Sequence, residues 1–287
     1  MPMPLHQSAA AASDFERLAV AKSCHFCICI QLTTTTSLIM TTAADHVPTY
    51  PSVDYASFSD DQLDAFHTSP DLRLFSNINC PYGQRALWTA LEVNAPFQVV
   101  EVSLANQPDS YGEKFNRYGT VPYLLDNGFA VYESAIVAQY LDAKFNQGRL
   151  HRKDDVQAAT LVQLVIAQFE ARPWYQYLRT GDEKAKEQGI EILKELETIF
   201  TVNAKAYRDQ GPYLLGAELS GAEINLFPFF YRLDVLLGHY RKLEFLADFP
   251  ALRAAFDAAK ARKTFQQTIR TPEYLIQQFA PHFNPTP

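Results

Sequence analysis

The stretch Asn79-Cys80-Pro81-Tyr82-Gly83-Gln84-Arg85 constrains this chain more than any other. Upstream, Leu72-Arg73-Leu74-Phe75 alternates and reads as a strand; downstream, Ala86, Leu87, Ala90 and Leu91 recur at helical spacing. Cys80 therefore stands where a strand ends and a helix begins. Proline is favoured at the first helical position, where its missing N–H would be unpaired anyway. Pro81 then opens the helix and Cys80 caps it. A sulfur at that place faces free backbone N–H groups and the positive end of the helix dipole, both of which favour thiolate over thiol. Cysteines so placed titrate at about 3.5–7.5 instead of about 8.5. The expectation is a reactive thiolate; the competing reading is a small buried hydrophobe, a common fate of a lone cysteine.

The pattern around this stretch is compact from Asp71 onward. Residues 97–102 read as a second strand, which makes a βαβ unit with parallel strands and a right-handed crossover. A helix is expected over 109–116. Two short strands then flank Asn127-Gly128, a strong hairpin-turn signal, and a helix follows over 133–145. After Asn146-Gln147-Gly148 the pattern is helical throughout: a long helix over 153–178 kinked at Pro173, then helices over 182–207, 219–237, 250–263 and 272–279. Ser220-Gly221-Ala222-Glu223 fits a capping box at the start of the third. The chain divides into an extension and linker over 1–69, an α/β domain over 70–148 and an all-helical domain over 149–287.

The extension is rich in Ala, Ser and Thr and has no sustained period, which reads as a disordered tail. A transit peptide is opposed by Asp14, Glu16 and the scarcity of Arg, and the apolar run over 26–32 is short for a signal core. Met40 offers an alternative start. Cys24-His25-Phe26-Cys27 has redox or metal spacing but no second ligand pair, so no metal is expected. Residues 47–69, with Pro48 and Pro51, read as a linker holding a short helix near 60–66. Four cysteines do not make a disulfide framework at this length, so a reducing compartment fits: the cytoplasm, with organelle targeting by the extension as the alternative. A net charge of −7 argues against nucleic acid as a partner. No uncharged apolar run approaches the roughly 18 residues of a membrane span.

Gly83 occupies the place of the second cysteine in a C-x-x-C pair, the residue with which a dithiol enzyme resolves its own mixed disulfide. A disulfide cycle at Cys80 therefore needs an external thiol, glutathione being the obvious one. The strand–Cys80-Pro81-Tyr82–helix unit, then Thr120-Val121-Pro122, then Tyr132-Glu133-Ser134-Ala135 and an all-helical half, resembles the glutathione transferase family. It is nearest to the cysteine-type (omega-like) group, whose motif is C-P-[FY]-x-x-R. The resemblance covers roughly residues 70–287 and implies an α/β thioredoxin-like N-terminal domain that binds glutathione, followed by an all-α C-terminal domain that shapes a pocket for the second substrate.

Carried over residue by residue, the resemblance makes Cys80 the catalytic nucleophile. It implies that the Val121 backbone pairs with the cysteinyl part of glutathione like an added strand, that Pro122 is cis, and that Glu133 and Ser134 hold the γ-glutamyl group. The last assignment has independent support. These two residues open a helix directly after a hairpin strand, where free N–H groups and a hydroxyl suit a carboxylate; Ser134 alone would read as an ordinary N-cap serine. Where the family places a lysine for the glycyl carboxylate, this chain has Gln107, with Lys114 and Arg117 further on. Arg85 reads either as a partner of the thiolate or as a solvated helix residue. Tyr82 and, from the aromatic cluster Trp174, Tyr175 and Tyr177 beside Arg172, Trp174 are candidates for the second-substrate pocket, against the bland alternative of core aromatics.

The function expected is glutathione-dependent thiol transfer to a small-molecule acceptor, dehydroascorbate among the candidates. The rivals are conjugation of glutathione to electrophiles and a non-enzymatic relative of the fold, such as a chloride-intracellular-channel-like protein or an elongation-factor-associated module. Monomer and homodimer stay open. A chain starting at Val47 is expected to keep the full melting temperature and activity, measured side by side with the whole chain; a large loss of either would show that residues 1–46 belong to the folded unit.

Overall fold

The computed structural model describes residues 50–208 and 210–283. The readings placed on residues 1–45 and on Cys24-His25-Phe26-Cys27 lie outside them.

Among the described residues, five strands form one mixed sheet: β1 (Ser52–Asp54), β2 (Leu72–Ser76), β3 (Phe97–Glu101), β4 (Tyr123–Asp126) and β5 (Phe129–Tyr132), in the order β1-β3-β2-β4-β5. β2 and β3 are parallel, as a βαβ crossover requires, and β4 runs antiparallel to β2 with Leu74 opposite Leu124. Asn127 and Gly128 both take positive φ, 48° and 76°, the backbone that a two-residue hairpin turn demands. Helices α1 (Asp60–Ala65), α2 (Pro81–Glu92), α3 (Asp109–Lys114) and α4 (Ser134–Asn146) complete this half. The second half is helical: α5 (Val156–Gln168), α6 (Arg172–Thr180), α7 (Glu183–Thr198), α8 (Lys205–Arg208), α9 (Gly221–Arg241), α10 (Pro250–Lys260), α11 (Lys263–Gln266) and α12 (Pro272–Phe283). No described helix is long and apolar enough to cross a membrane.

The hydrophobic core runs without a break from one face of the sheet into the helical half. Trp88 of α2 is fully buried and meets Phe265 of α11 edge-on, with ring centroids 4.8 Å apart. α9 is the central post, almost wholly buried and started by the expected capping box, in which the Glu223 carboxylate accepts the Ser220 N–H at 2.9 Å.

Two expectations change. The segment over 47–69, read as a linker with a short helix, supplies both edge strand β1 and the cover of the sheet's other face. Tyr55, Leu63 and Phe66 are buried there against Phe75, Val100, Tyr111 and Tyr123, in the same cluster as Cys80 and Val121. Three strand residues are too few to show a period of two, and prolines on both sides mask the burial of the aromatics. The long helix over 153–178 is in fact two. α5 ends at Gln168 with Phe169 in extended backbone, and α6 restarts at Arg172 with Pro173 in its first turn, where the missing N–H is harmless. Proline here opens a helix instead of kinking one.

Phe66 tests the first correction. It is 5% exposed, and the Arg73 guanidinium lies 4.1 Å over its ring. Phe66→Ala should destabilise the protein by about 3–5 kcal/mol, as large-to-small changes in a core do. Urea unfolding measures it, and a loss under about 1 kcal/mol would return this segment to linker status.

Candidate active site

The site begins where β2 runs out. The backbone turns at Asn77, whose carbonyl accepts the Cys80 N–H at 3.0 Å, and Cys80 takes the extended N-cap conformation before Pro81. The sulfur accepts the Gly83 N–H at 3.4 Å and lies 3.9 Å from the Val121 carbonyl. A side chain at Gly83 would crowd the strand end: its Cβ would sit 2.5 Å from Ser76 Oγ and 3.2 Å from the Asn77 carbonyl, so both would have to shift. The strand end thus presses on the position where a second cysteine would stand.

The helix-start contacts expected at Cys80 are present, yet the thiol moves the other way. Cys80 is 6% exposed, and burial pushes its thiol up from the ordinary value. Opposing that are the N–H groups of Gly83 and Tyr82 and the charges of Arg232 and Arg85. Burial wins, because removing a thiolate from water is costly while each N–H donor recovers only part of its hydration. The expected low pKa is corrected: in the unliganded site burial holds the Cys80 thiol above its ordinary value.

The loop bearing Val121 is fixed from three sides. The Thr120 carbonyl accepts Tyr111 Oη at 2.8 Å and Asn116 Nδ2 at 2.7 Å, and the Gly119 carbonyl accepts Gln107 Nε2 at 2.7 Å. Val121–Pro122 is cis, as the resemblance implies. One of the two Gln107 amide N–H donors braces this loop. Lys114 is paired with Asp64 of α1. Glu133 is exposed and holds φ of 68°, a strained backbone for a non-glycine residue, immediately before Ser134 opens α4. Ser134 is buried, and its Oγ accepts from Arg85 Nη1 at 3.1 Å. Arg85 is not a solvated helix residue. Its Nε donates to the Asn225 carbonyl at 2.9 Å, its plane lies over the Phe229 and Tyr82 rings, and burial pulls the guanidinium down to about 10.

Cys80 opens onto a cavity of about 100 Å³ between the two halves. Tyr82, Tyr175, Phe229 and Phe279 give it aromatic walls; Glu170, Arg172 and His282 supply polar groups. The break between α5 and α6 forms one side, so the interruption that the sequence reading missed is what makes room for a ligand. Tyr82 lines the cavity as expected. Trp174 does not: it is 1% exposed, meets Phe245 edge-on, and presses its ring where any Cβ on Gly189 would be 2.4 Å away. On a helix one residue is a rotation of about 100°, so Tyr175 faces the cavity while Trp174 faces the core.

Arg232 of α9 went unnoticed in the sequence. It is 2% exposed and donates to the carbonyls of Ile78 and Asn79, each at 3.0 Å, directly upstream of Cys80. Only the fold joins residues so far apart in the chain, and no local pattern marks it. On the other side of the same turn the Ile78 N–H bonds the Glu101 carboxyl, which burial pushes up to about 7. Among the described residues no cluster of three or more His, Cys, Asp or Glu side chains could hold a metal ion.

Comparison with known proteins agrees with this geometry. The family model for the glutathione S-transferase N-terminal domain matches residues 74–149, and that for the C-terminal domain matches 160–258. The chain is 25% identical over 203 residues to glutathione S-transferase DHAR3, chloroplastic, of Arabidopsis thaliana, covering 71% of this chain and 74% of that one. Among solved structures it is similar to glutathione transferase Omega 3C from Trametes versicolor, at 28% identity and TM-score 0.62, over 78% of this chain and 95% of that one. A trimeric glutathione transferase of Leishmania gives TM-score 0.68 at 24% identity and covers 74% of this chain; the chain spans 49% of that protein's length.

The titration of Cys80 has a definite sign. With its pKa raised, the thiolate fraction at a given pH is lower than in a free cysteine, so alkylation by iodoacetamide should reach half its limiting rate above the free-thiol value of about 8.5. Mass spectrometry resolved to the Cys80 peptide follows it in the unliganded protein, and a midpoint well below that value would restore the low-pKa reading.

Proposed function

The chain belongs to the glutathione S-transferase family, and on that premise we propose that it is a cysteine-type, glutathione-dependent thiol transferase acting on small-molecule acceptors. The observation that carries this reading is a lone sulfur at an aromatic cavity, Cys80, with Gly83 and not a second cysteine one helical turn behind it. A hydroxyl at this position could only hold the thiolate of glutathione; a sulfur can also take a glutathionyl group from a disulfide by exchange.

The reaction runs in two exchanges. The Cys80 thiolate attacks the glutathionyl sulfur of a mixed disulfide R–S–S–G, forming the disulfide between Cys80 and glutathione and breaking the S–S bond of the substrate, and R–S⁻ leaves to take up a proton. A second glutathione, as thiolate, attacks the same bond at the glutathionyl sulfur, releases glutathione disulfide and returns Cys80. The cytoplasm or a reducing organelle would supply that thiol. In the site proposed for glutathione, the Val121 backbone lies across from the sulfur, while Glu133, Ser134 and the start of α4 receive the γ-glutamyl end. Gln107 serves this reading by holding the Val121–Pro122 loop. Tyr82 stands at the acceptor side with Tyr175, which takes the place first given to Trp174.

A second reading, conjugation of glutathione to electrophiles, is favoured by one observation: a buried neutral thiol can donate to a bound glutathione thiolate as a serine or tyrosine would. One variant separates the two. Cys80→Ser should lose thiol transfer altogether, since an alcohol forms no disulfide, while glutathione binding by calorimetry persists. If Cys80→Ser keeps thiol transfer, the mechanism is wrong; if the wild type shows only conjugation of aromatic electrophiles, the second reading replaces the first.

A further inference from the structure

Arg232 is a buried cation without an anion. Its Nε bonds the Asn79 carbonyl, Nη2 the Ile78 carbonyl, and Nη1 both the Pro228 carbonyl at 2.7 Å and Gln84 Oε1. Every acceptor is neutral, and among the described residues Arg232 has no carboxylate partner. The ionisable groups that it feels are the Cys80 thiol and the phenols of Tyr175 and Tyr231. An unpaired buried charge is strongly unfavourable, and of those three groups the thiol is by far the easiest to ionise.

Two of the bonds fall on the residues just before Cys80, so the same side chain sets where the sulfur stands. Its own place is secured from α2, because Gln84 in turn donates to Thr268 Oγ1 at 2.8 Å. The other groups around Cys80 do not duplicate this. Arg85 and Tyr82 are on its own helix, and Arg85 is committed to Ser134 and Asn225. Tyr175 of α6 is a phenol held well above its usual range by burial. Glu170, Arg172 and His282 stand along the cavity wall.

We propose that Arg232 is a positioning residue for Cys80: its guanidinium fixes the Ile78–Asn79 backbone that carries the cysteine, and it is the counter-charge that the Cys80 thiolate takes up when it forms. The helical half thereby supplies an essential part of a site whose nucleophile lies in the α/β half. The catalytic consequence rests on the thiol-transfer reading; the effect on the thiol does not.

Three variants test it, with peptide-resolved iodoacetamide alkylation of Cys80 as the readout independent of activity. Arg232→Met should slow alkylation at pH 7.5 about tenfold, the effect of one pKa unit lost with a neighbouring opposite charge. It should lower kcat for thiol transfer by at least as much and leave KM for glutathione within about threefold, the pattern of a residue acting on the reacting group and not on ground-state binding. Arg232→Lys keeps the charge without the fork, so alkylation should stay within about twofold of wild type while kcat still falls. Where Arg232→Met does not fold, Gln84→Glu places a carboxylate against the guanidinium and takes up its charge, and alkylation should slow again. Unchanged alkylation in Gln84→Glu and in a folded Arg232→Met overturns the counter-charge role, and full kcat in Arg232→Lys overturns the positioning role. If the wild type transfers no thiol, the functional reading falls, while the alkylation rates still decide Arg232.

Discussion

Between the last residue of β2 and the first of α2 the carbonyls of Asn77 and Cys80 find backbone partners, and those of Ile78 and Asn79 are left to a side chain. Buried carbonyls must be paired, and those of Ile78 and Asn79 are paired by a side chain from the other half of the molecule. This one constraint ties the site to the whole fold. The α/β half alone can place a cysteine at a helix start, but it cannot satisfy the turn that leads there. The dependence is mutual. Arg262, beside α11, reaches Glu92 at the end of α2 with a hydrogen bond at 2.8 Å from Nε, and Trp88 joins the two cores. The two halves are therefore one structural unit around α2.

What could be read directly from the sequence was what is encoded locally. The strand–Cys80-Pro81–helix junction, the Asn127-Gly128 hairpin and the Ser220–Glu223 box each lie within a few residues, so composition and spacing suffice; the cis Val121–Pro122 bond came through the family resemblance. What escaped is non-local or a matter of rotation. β1 is three residues long and depends on β3 for its identity as a strand. Trp174 and Tyr175 are neighbours in sequence but face opposite environments. Arg232 lies 153 positions from the carbonyl it holds. The titration of Cys80 reversed because a helix start can be seen in a motif, whereas burial is the sum of everything packed around it.

The electrostatics of the site follow from that burial. Two arginines, Arg85 of the α/β half and Arg232 of the helical half, act on a thiol that burial holds above its ordinary value, and the loop carrying Val121 presents a carbonyl to it. A site of this kind holds charge in reserve: the guanidinium groups are already desolvated, so a negative sulfur that forms among them meets dipoles and charges that need no rearrangement. Aromatic walls keep water from screening them. The Glu133 backbone, held at positive φ just before α4, is a place where local strain is tolerated in this half.

The contact between Gly83 and Ser76 sets the order in which such a site could diverge. A cysteine at position 83 would give the helix start a second thiol, but its Cβ meets Ser76 Oγ and the Asn77 carbonyl before any chemistry is possible. The Ser76 hydroxyl has to turn away and the Asn77 carbonyl has to give by a few tenths of an ångström first, so a second sulfur comes only after this strand end has adjusted. Whether a second thiol could ever stand beside Cys80 is thus set by the packing of a strand end and not by the cysteine itself.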